Sequence, residues 1–151
     1  MYRRIALIVT VLLAVLLAAG CGGGPNKDDY EAGLRGVQAH LDDAKKASDK
    51  ASGELDADKR NAAIRDQDAA LKAAAAAADK LDPPEDAEKA NAKFVKALGA
   101  YADLFGKLVE ANGDSEQEAA LVGEAGPIVD DLQEANTALA KAGYKATSDK
   151  E

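Results

Sequence analysis

The chain contains very few of the residues from which chemical sites and large cores are built. Its 151 residues include no tryptophan, two phenylalanines, one cysteine, one methionine and one histidine. A single cysteine excludes a disulfide within the chain. Alanine supplies much of the apolar content, and because alanine buries little area we expect a thin core between closely packed helices. No apolar run alternates with a period of two, so no β-strand is predicted.

The scarcity of ligating and nucleophilic side chains also argues against the usual sites of helical proteins. A di-iron site in a bundle needs two Glu-x-x-His pairs, but His40 is the only histidine and Val37 stands three positions before it. A His/Met haem site fails because the only methionine is Met1. No Gly-x-Ser-x-Gly elbow and no phosphate-binding glycine loop is present. We therefore expect no enzyme, no metal site and no bound cofactor, and we expect His40 to be a solvated side chain.

The N-terminal residues combine a basic start, an apolar run and small residues before the cysteine. Arg3 and Arg4 precede an apolar run over residues 5–17, which is short for a bilayer span of about 20 residues. Three small residues then lead to Cys21: Ala18, Ala19 and Gly20. This arrangement resembles the signal peptide of a bacterial lipoprotein, which ends in a lipobox. The resemblance implies cleavage at these small residues and attachment of diacylglycerol and acyl chains such as palmitate to Cys21, while an uncleaved anchor and ordinary secretion remain alternatives.

These patterns divide the chain into four segments. Residues 1–20 are predicted to be the signal peptide, 21–25 the lipidated cysteine with a glycine-rich tether, 26–144 the helical domain and 145–151 a frayed tail. Removal of Arg3 and Arg4 with the signal leaves 17 basic and 27 acidic residues, a net charge of −10. Such a charge argues against nucleic-acid binding and against lying flat on anionic lipid. We therefore expect attachment to the outer face of a cell membrane through the lipid, or to an outer membrane if one exists.

Apolar residues after residue 26 recur at alternating spacings of three and four, which places them on one narrow face of each of four helices. The sequence therefore predicts an all-α fold, an antiparallel up-down four-helix bundle. The four predicted seams are Tyr30, Leu34, Val37, Leu41, Ala44, Ser48, Ala51 and Leu55; Ile64, Gln67, Leu71, Ala74, Ala78 and Leu81; Phe94, Leu98, Tyr101, Phe105 and Leu108; and Leu121, Ala125, Ile128, Leu132, Ala135, Leu139 and Ala142.

Capping residues and helix breakers predict the boundaries of these helices. Asn26, Asp56, Asp82 and Asp114 are the expected N-caps, Glu85 and Gln117 are capping-box partners, and Gly53 is an expected helix end. Pro83 lies in the predicted first turn of the third helix. At Gly126-Pro127 the fourth helix either kinks, or a short helix over 115–125 precedes a new start.

Two further features have alternative interpretations. The run Ala73 to Ala78 is either a packing face within the bundle or a smooth face for another helix. The aromatic side chains of the third helix, Phe94, Tyr101 and Phe105, are either the main anchors of the core or the lining of a ligand groove between helices.

The pattern from Cys21 through the Leu81–Glu85 break to Leu108 is similar to small, alanine-rich helical lipoproteins of high-GC Gram-positive bacteria. This resemblance implies a place in the cell envelope and no known reaction. We expect a non-enzymatic, lipid-anchored bundle that binds an envelope protein partner or a small ligand. The alternatives are a structural spacer in which seams pair between chains as a coiled coil, and a metal-handling bundle.

Overall fold

A computed structural model describes residues 27–111 and 114–144, which form four helices and no strand. The helices are α1 (Lys27–Gly53), α2 (Ala57–Ala78), α3 (Glu88–Ala111) and α4 (Ser115–Lys141). Short connections reverse the chain between successive helices, so the four alternate in direction. The predicted all-α, up-down four-helix bundle is confirmed. The predicted signal peptide, Cys21 with its tether, the Asn26 cap and the tail lie outside the described residues.

Helix packing follows the order of the chain. α1 packs on α2, α2 on α3 and α3 on α4, whereas no Cα atoms of α1 and α4 come within 8 Å of each other. The core is nevertheless continuous, because buried residues from all four helices belong to one cluster. α3 contacts both α2 and α4 and buries a much wider face than its predicted seam. Its additional buried residues are Asn91, Ala97, Ala102, Leu104 and Gly106.

The predicted seams form the core, with one clear exception. Members of each seam are buried or packed against the cluster, including the aromatic residues Phe94, Tyr101 and Phe105 that anchor α3. Leu55 was expected to continue the seam of α1, but α1 ends at Gly53 and leaves this side chain 95% exposed in the turn. The prediction for Leu55 is therefore wrong, because the chain reverses before the helix reaches that position.

Two of the predicted N-caps are confirmed. The Asp56 carboxylate accepts a hydrogen bond from the backbone N–H of Lys59 at 3.0 Å. The Asp114 carboxylate accepts from the N–H groups of Glu116 and Gln117, both at 3.1 Å. The Asp114 N–H donates to the Ala111 carbonyl at 2.9 Å. Asp114 thus caps α4 with its side chain, while its own N–H donates to the carbonyl of the last residue of α3.

The start of α3 differs from the prediction. α3 begins at Glu88 rather than after Asp82, and a turn closed by the Ala87 N–H and the Pro84 carbonyl at 2.8 Å precedes it. Because each residue before a proline is driven towards extended conformations, Pro83 and Pro84 together hold Asp82 and Pro83 out of the helical region. The helix therefore begins only after the second proline, and Asp82 does not cap it.

α4 continues without a break through Gly126-Pro127, so the alternative of a separate helix over 115–125 is wrong. Pro127 has no N–H to give the Gly123 carbonyl, and its ring crowds that carbonyl. Pro127, Gly126 and Gly123 are all exposed. The disturbed turn therefore faces solvent, where water can satisfy the free carbonyl.

α4 ends in a Schellman motif that returns the chain to the bundle. The Tyr144 N–H donates to the Leu139 carbonyl and the Gly143 N–H to the Ala140 carbonyl, both at 3.0 Å. Gly143 has φ 86°, a left-handed conformation that glycine adopts without a steric penalty. The motif places Tyr144 back on the core, where it is 5% exposed.

Candidate functional site

The outer face of the α1–α2 pair carries an open groove of about 490 Å³, which we call the small-residue groove. Most of its lining side chains are small and apolar, and two are basic or titratable. The lining residues are Gly33 and His40 from α1, with Ala73, Ala76, Ala77, Lys80 and Leu81 from α2 and its C-terminal extension.

The alanine run of α2 explains why the groove is present. Ala74 and Ala78 point into the core and are fully buried, while Ala73 and Ala77 are half-buried and Ala76 is exposed on the groove side. Successive turns of one helix therefore give the run two faces. The predicted packing face is confirmed at Ala74 and Ala78. The groove side of the run carries only the methyl groups of Ala73, Ala76 and Ala77, which leaves space between the ridges of α1 and α2.

One end of the groove depends on a close approach between Gly33 and Leu81. A Cβ atom at Gly33 would lie 2.4 Å from Leu81 Cδ2, well inside van der Waals contact. Leu81 therefore lies across the position that a larger residue at Gly33 would occupy. At Gly36, one turn further along α1, no such neighbour lies within 4 Å.

The charged groups of the groove lie towards its two ends. Lys80 is exposed beside Leu81, and among the described residues no carboxylate forms an ion pair with its ammonium group. His40 lies at the opposite end of the groove. It is half-buried, whereas a solvated side chain was predicted. One turn beyond it, the pKa of Asp43 is held below its usual range, mainly because Lys46 Nζ donates a hydrogen bond at 2.8 Å and also attracts the carboxylate electrostatically.

A second cluster of polar and aromatic groups lies at the end of the bundle where α1 begins. The Tyr30 hydroxyl donates to Asn91 Oδ1 at 2.9 Å. The rings of Tyr30 and Tyr144 meet edge to face, 5.2 Å between centroids at 87°. Lys27 Nζ lies 5.4 Å from the Tyr144 ring centroid, and the Tyr144 hydroxyl donates to Asp86 Oδ1. We call Lys27, Tyr30, Asp86, Asn91 and Tyr144 the tyrosine cluster.

The tyrosine cluster joins α1 to Tyr144, beyond the end of α4, although no Cα atoms of α1 and α4 come within 8 Å of each other. It connects the first turn of α1 to the residues after α4 and to the turn before α3. Sequence reasoning missed Tyr144, since it follows the last seam residue and stands outside the helical period. The Gly-Tyr pair after Ala142 was the available signal, because a glycine followed by a large apolar residue is typical of a Schellman motif.

Burial raises the pKa values of the tyrosines. The pKa of Tyr101 rises to about 12 through desolvation alone. The pKa of Tyr144 rises to about 12, first through desolvation and then through its hydrogen bond to Asp86. The pKa of Tyr30 is also raised, first by desolvation and then by the electrostatic effect of the neighbouring Tyr144. These hydroxyls therefore stay protonated above pH 10, where an exposed tyrosine ionises.

The chemistry-bearing residues do not converge elsewhere in the part of the chain that the structure describes. No three His, Cys, Asp or Glu side chains within residues 27–111 and 114–144 are arranged to hold a metal ion. None of the helices in those ranges is long and apolar enough to cross a membrane. The predicted lipidation residue Cys21 and the cleavage residues Ala18, Ala19 and Gly20 lie outside them.

Comparison of the chain with family models, with curated proteins and with solved structures finds no match.

Proposed function

We propose that the chain is a lipid-anchored protein of the cell envelope whose helical bundle binds a ligand or partner without catalysing a reaction. The anchor is the acylated Cys21, and the binding element is the small-residue groove. The groove is the observation that carries the binding role. Its volume of about 490 Å³ is within the range of roughly 300–1,000 Å³ that is typical of small-molecule sites, and its lining is mostly apolar.

The position of the bundle relative to Cys21 supports the anchoring role. α1 begins at Lys27, six positions after Cys21, and the glycines between them suit a short tether. The tyrosine cluster holds this first turn of α1 against the rest of the bundle. A membrane-attached tether would therefore pull on a braced end of the domain and not on a fraying helix.

The seams support a monomeric binding module over an intermolecular coiled coil. A spacer built from paired chains needs an apolar stripe on its surface, whereas the seams of α1 to α4 are buried against each other within one chain. Light scattering on residues 26–151 tests this point. We expect a monomer, and a stable dimer or trimer would favour the structural spacer.

The anchoring role is tested by replacing the only cysteine. We expect Cys21→Ala to abolish acylation and to leave the first twenty residues attached, so that only the apolar run over residues 5–17 could still hold the chain at the membrane. Gly23→Ala is the matched control, because it changes the tether but keeps the thiol. Mass spectrometry of the native protein should show an acylated N-terminal Cys21. A bare thiol on an uncleaved chain would contradict the proposal.

A further inference from the structure

The first turns of α1 pack closely against another helix on one side only. α1 packs on α2, whereas no Cα atom of α1 comes within 8 Å of one in α3 or α4. Tyr30 and Leu34 in these turns are nevertheless only 2% and 3% exposed. The tyrosine cluster supplies contacts that do not come from α2, because the Tyr30 ring meets Tyr144 and the Tyr30 hydroxyl donates to Asn91.

Tyr144 is the residue that connects the members of this cluster. Its ring contacts Tyr30 and Lys27 of α1, and its hydroxyl donates to Asp86, 58 positions earlier in the chain. Its backbone N–H is bonded to the Leu139 carbonyl in the last turn of α4. Among the described residues, Asp86 forms no hydrogen bond or ion pair with α1, so its link to α1 runs through Tyr144. One residue thus joins three segments that are far apart in the sequence.

From these contacts we infer that Tyr144 is a strap: the start of α1, the turn before α3 and the end of α4 open and close as one cooperative unit. Helix ends that share no contacts fray independently, because the opening of one removes nothing from the others. Release of Tyr144 removes contacts from all three segments at once and uncovers Tyr30. The strap therefore makes the docking of the start of α1 depend on the far end of the domain. It acts within the bundle and does not require Cys21 to be lipidated.

Hydrogen exchange of the full chain, read by mass spectrometry of its peptides, tests this coupling. The amides of residues 31–38 report on the first turns of α1, because their hydrogen bonds close those turns. Residues 46–53, at the other end of the same helix, are the internal reference. We expect Tyr144→Ala to speed exchange in residues 31–38 by at least about tenfold and to leave residues 46–53 within about twofold of the wild type.

A sharper test changes Asp86, which reaches α1 only through Tyr144. Asp86→Ala removes the acceptor of the Tyr144 hydroxyl and should speed exchange in residues 31–38 about two- to tenfold, the range expected for one hydrogen bond. Asp82→Ala is the matched control, because it removes another exposed carboxylate of the same connection and should change nothing. Tyr144→Phe keeps the ring and should act like Asp86→Ala. A chain with both changes should show no larger effect than either alone, because both remove the same hydrogen bond.

Several results would overturn the inference. Faster exchange confined to the end of α4 in Tyr144→Ala would show that the three segments fray independently. Equal acceleration in both parts of α1 would show that Tyr144 contributes only to the stability of the whole domain. Multiplied effects in the double variant, or an equal effect of Asp82→Ala, would show that Asp86 does not act through Tyr144. If circular dichroism shows that Tyr144→Ala does not fold, the comparison of Asp86→Ala with Asp82→Ala decides.

Discussion

Gln67 is a polar side chain in the middle of the apolar seam of α2. It is 3% exposed, and its amide nitrogen Nε2 has no hydrogen-bond partner among the described residues. A buried donor without a partner costs about 1–3 kcal/mol. We therefore expect Gln67→Met, which keeps the length of the side chain, to raise the free energy of unfolding of residues 26–151 by about 1–2 kcal/mol in urea titrations.

Gln38→Met is the control for this prediction. Gln38 Nε2 donates to Asp42 Oδ1 at 2.9 Å on the half-buried surface of α1. Its replacement should change stability by no more than about 0.5 kcal/mol, as is usual for surface positions. If Gln67→Met destabilised the domain instead, the amide would have to be satisfied in solution.

Gly33 and Gly36 form a matched pair on α1. Both are helical. Where the new Cβ meets no neighbour, replacement of a helical glycine by alanine stabilises a protein by about 0.5–1 kcal/mol, because glycine loses more conformational freedom on folding. At Gly36 the new Cβ meets nothing within 4 Å, whereas at Gly33 it meets Leu81 Cδ2 at 2.4 Å. We expect Gly36→Ala to show the full gain and Gly33→Ala to show less or a loss, measured as unfolding midpoints in urea. Equal gains would show that Leu81 moves aside freely.

At the scale of whole elements, the local signals of the sequence predicted most of the architecture. The alternating apolar spacing located all four helices, and Asp56 and Asp114 cap α2 and α4 as predicted. These signals work because caps and periodic faces depend on residues within one or two turns. The predicted start of α3 was wrong because two consecutive prolines act together, an effect that a rule for a single proline does not include.

The end of α4 gives a prediction for one element. Gly143 has φ 86°, a conformation that costs other residues about 1–2 kcal/mol. We expect Gly143→Ala to destabilise the domain by at least about 1 kcal/mol, since the strain also displaces Tyr144 from the core. Gly99→Ala is the control, because Gly99 lies within α3, does not precede a proline and has open space around it, so this change should stabilise the domain. Thermal melts with near-ultraviolet circular dichroism report both the midpoint and the tyrosine environment.

At the scale of the whole molecule, the features that sequence reasoning missed are those made by several helices together. The groove requires α1 and α2 to bring Gly33 and Leu81 together, although neither residue marks a site by its own spacing. The wide burial of α3 follows from its position between α2 and α4, which no seam within α3 reveals. Tyr144 is buried only because a Schellman motif returns it to Tyr30. Such features depend on tertiary geometry and not on local propensity.

The tyrosines predict how stability depends on alkaline pH. The unfolded chain ionises its tyrosines near pH 10, whereas burial raises the pKa values of Tyr101 and Tyr144 to about 12. The folded state therefore keeps protons that the unfolded state loses, and stability present below pH 10 is lost progressively as the pH rises to about 12. We expect the unfolding midpoint of residues 26–151 to fall over this window. Tyr101→Phe should flatten the fall, and an unchanged slope would contradict the role of this residue.

The proposed anchor at Cys21 gives a final prediction, about how the bundle is oriented at the membrane. Lys27 and Tyr144 lie at one end, and the exposed Leu55 lies at the other, beyond an α1 of 27 residues, which spans about 40 Å. Without the signal the chain carries a net charge of −10, and anionic lipid should repel it and hold it upright. A fluorophore on Asp82→Cys, in the turn before α3, should therefore be quenched by headgroup-labelled lipids much more strongly than one on Leu55→Cys. Raising the salt from 0.1 to 1 M shortens the Debye length from about 10 to about 3 Å and should reduce this contrast, whereas equal quenching at low salt would mean that the bundle lies flat.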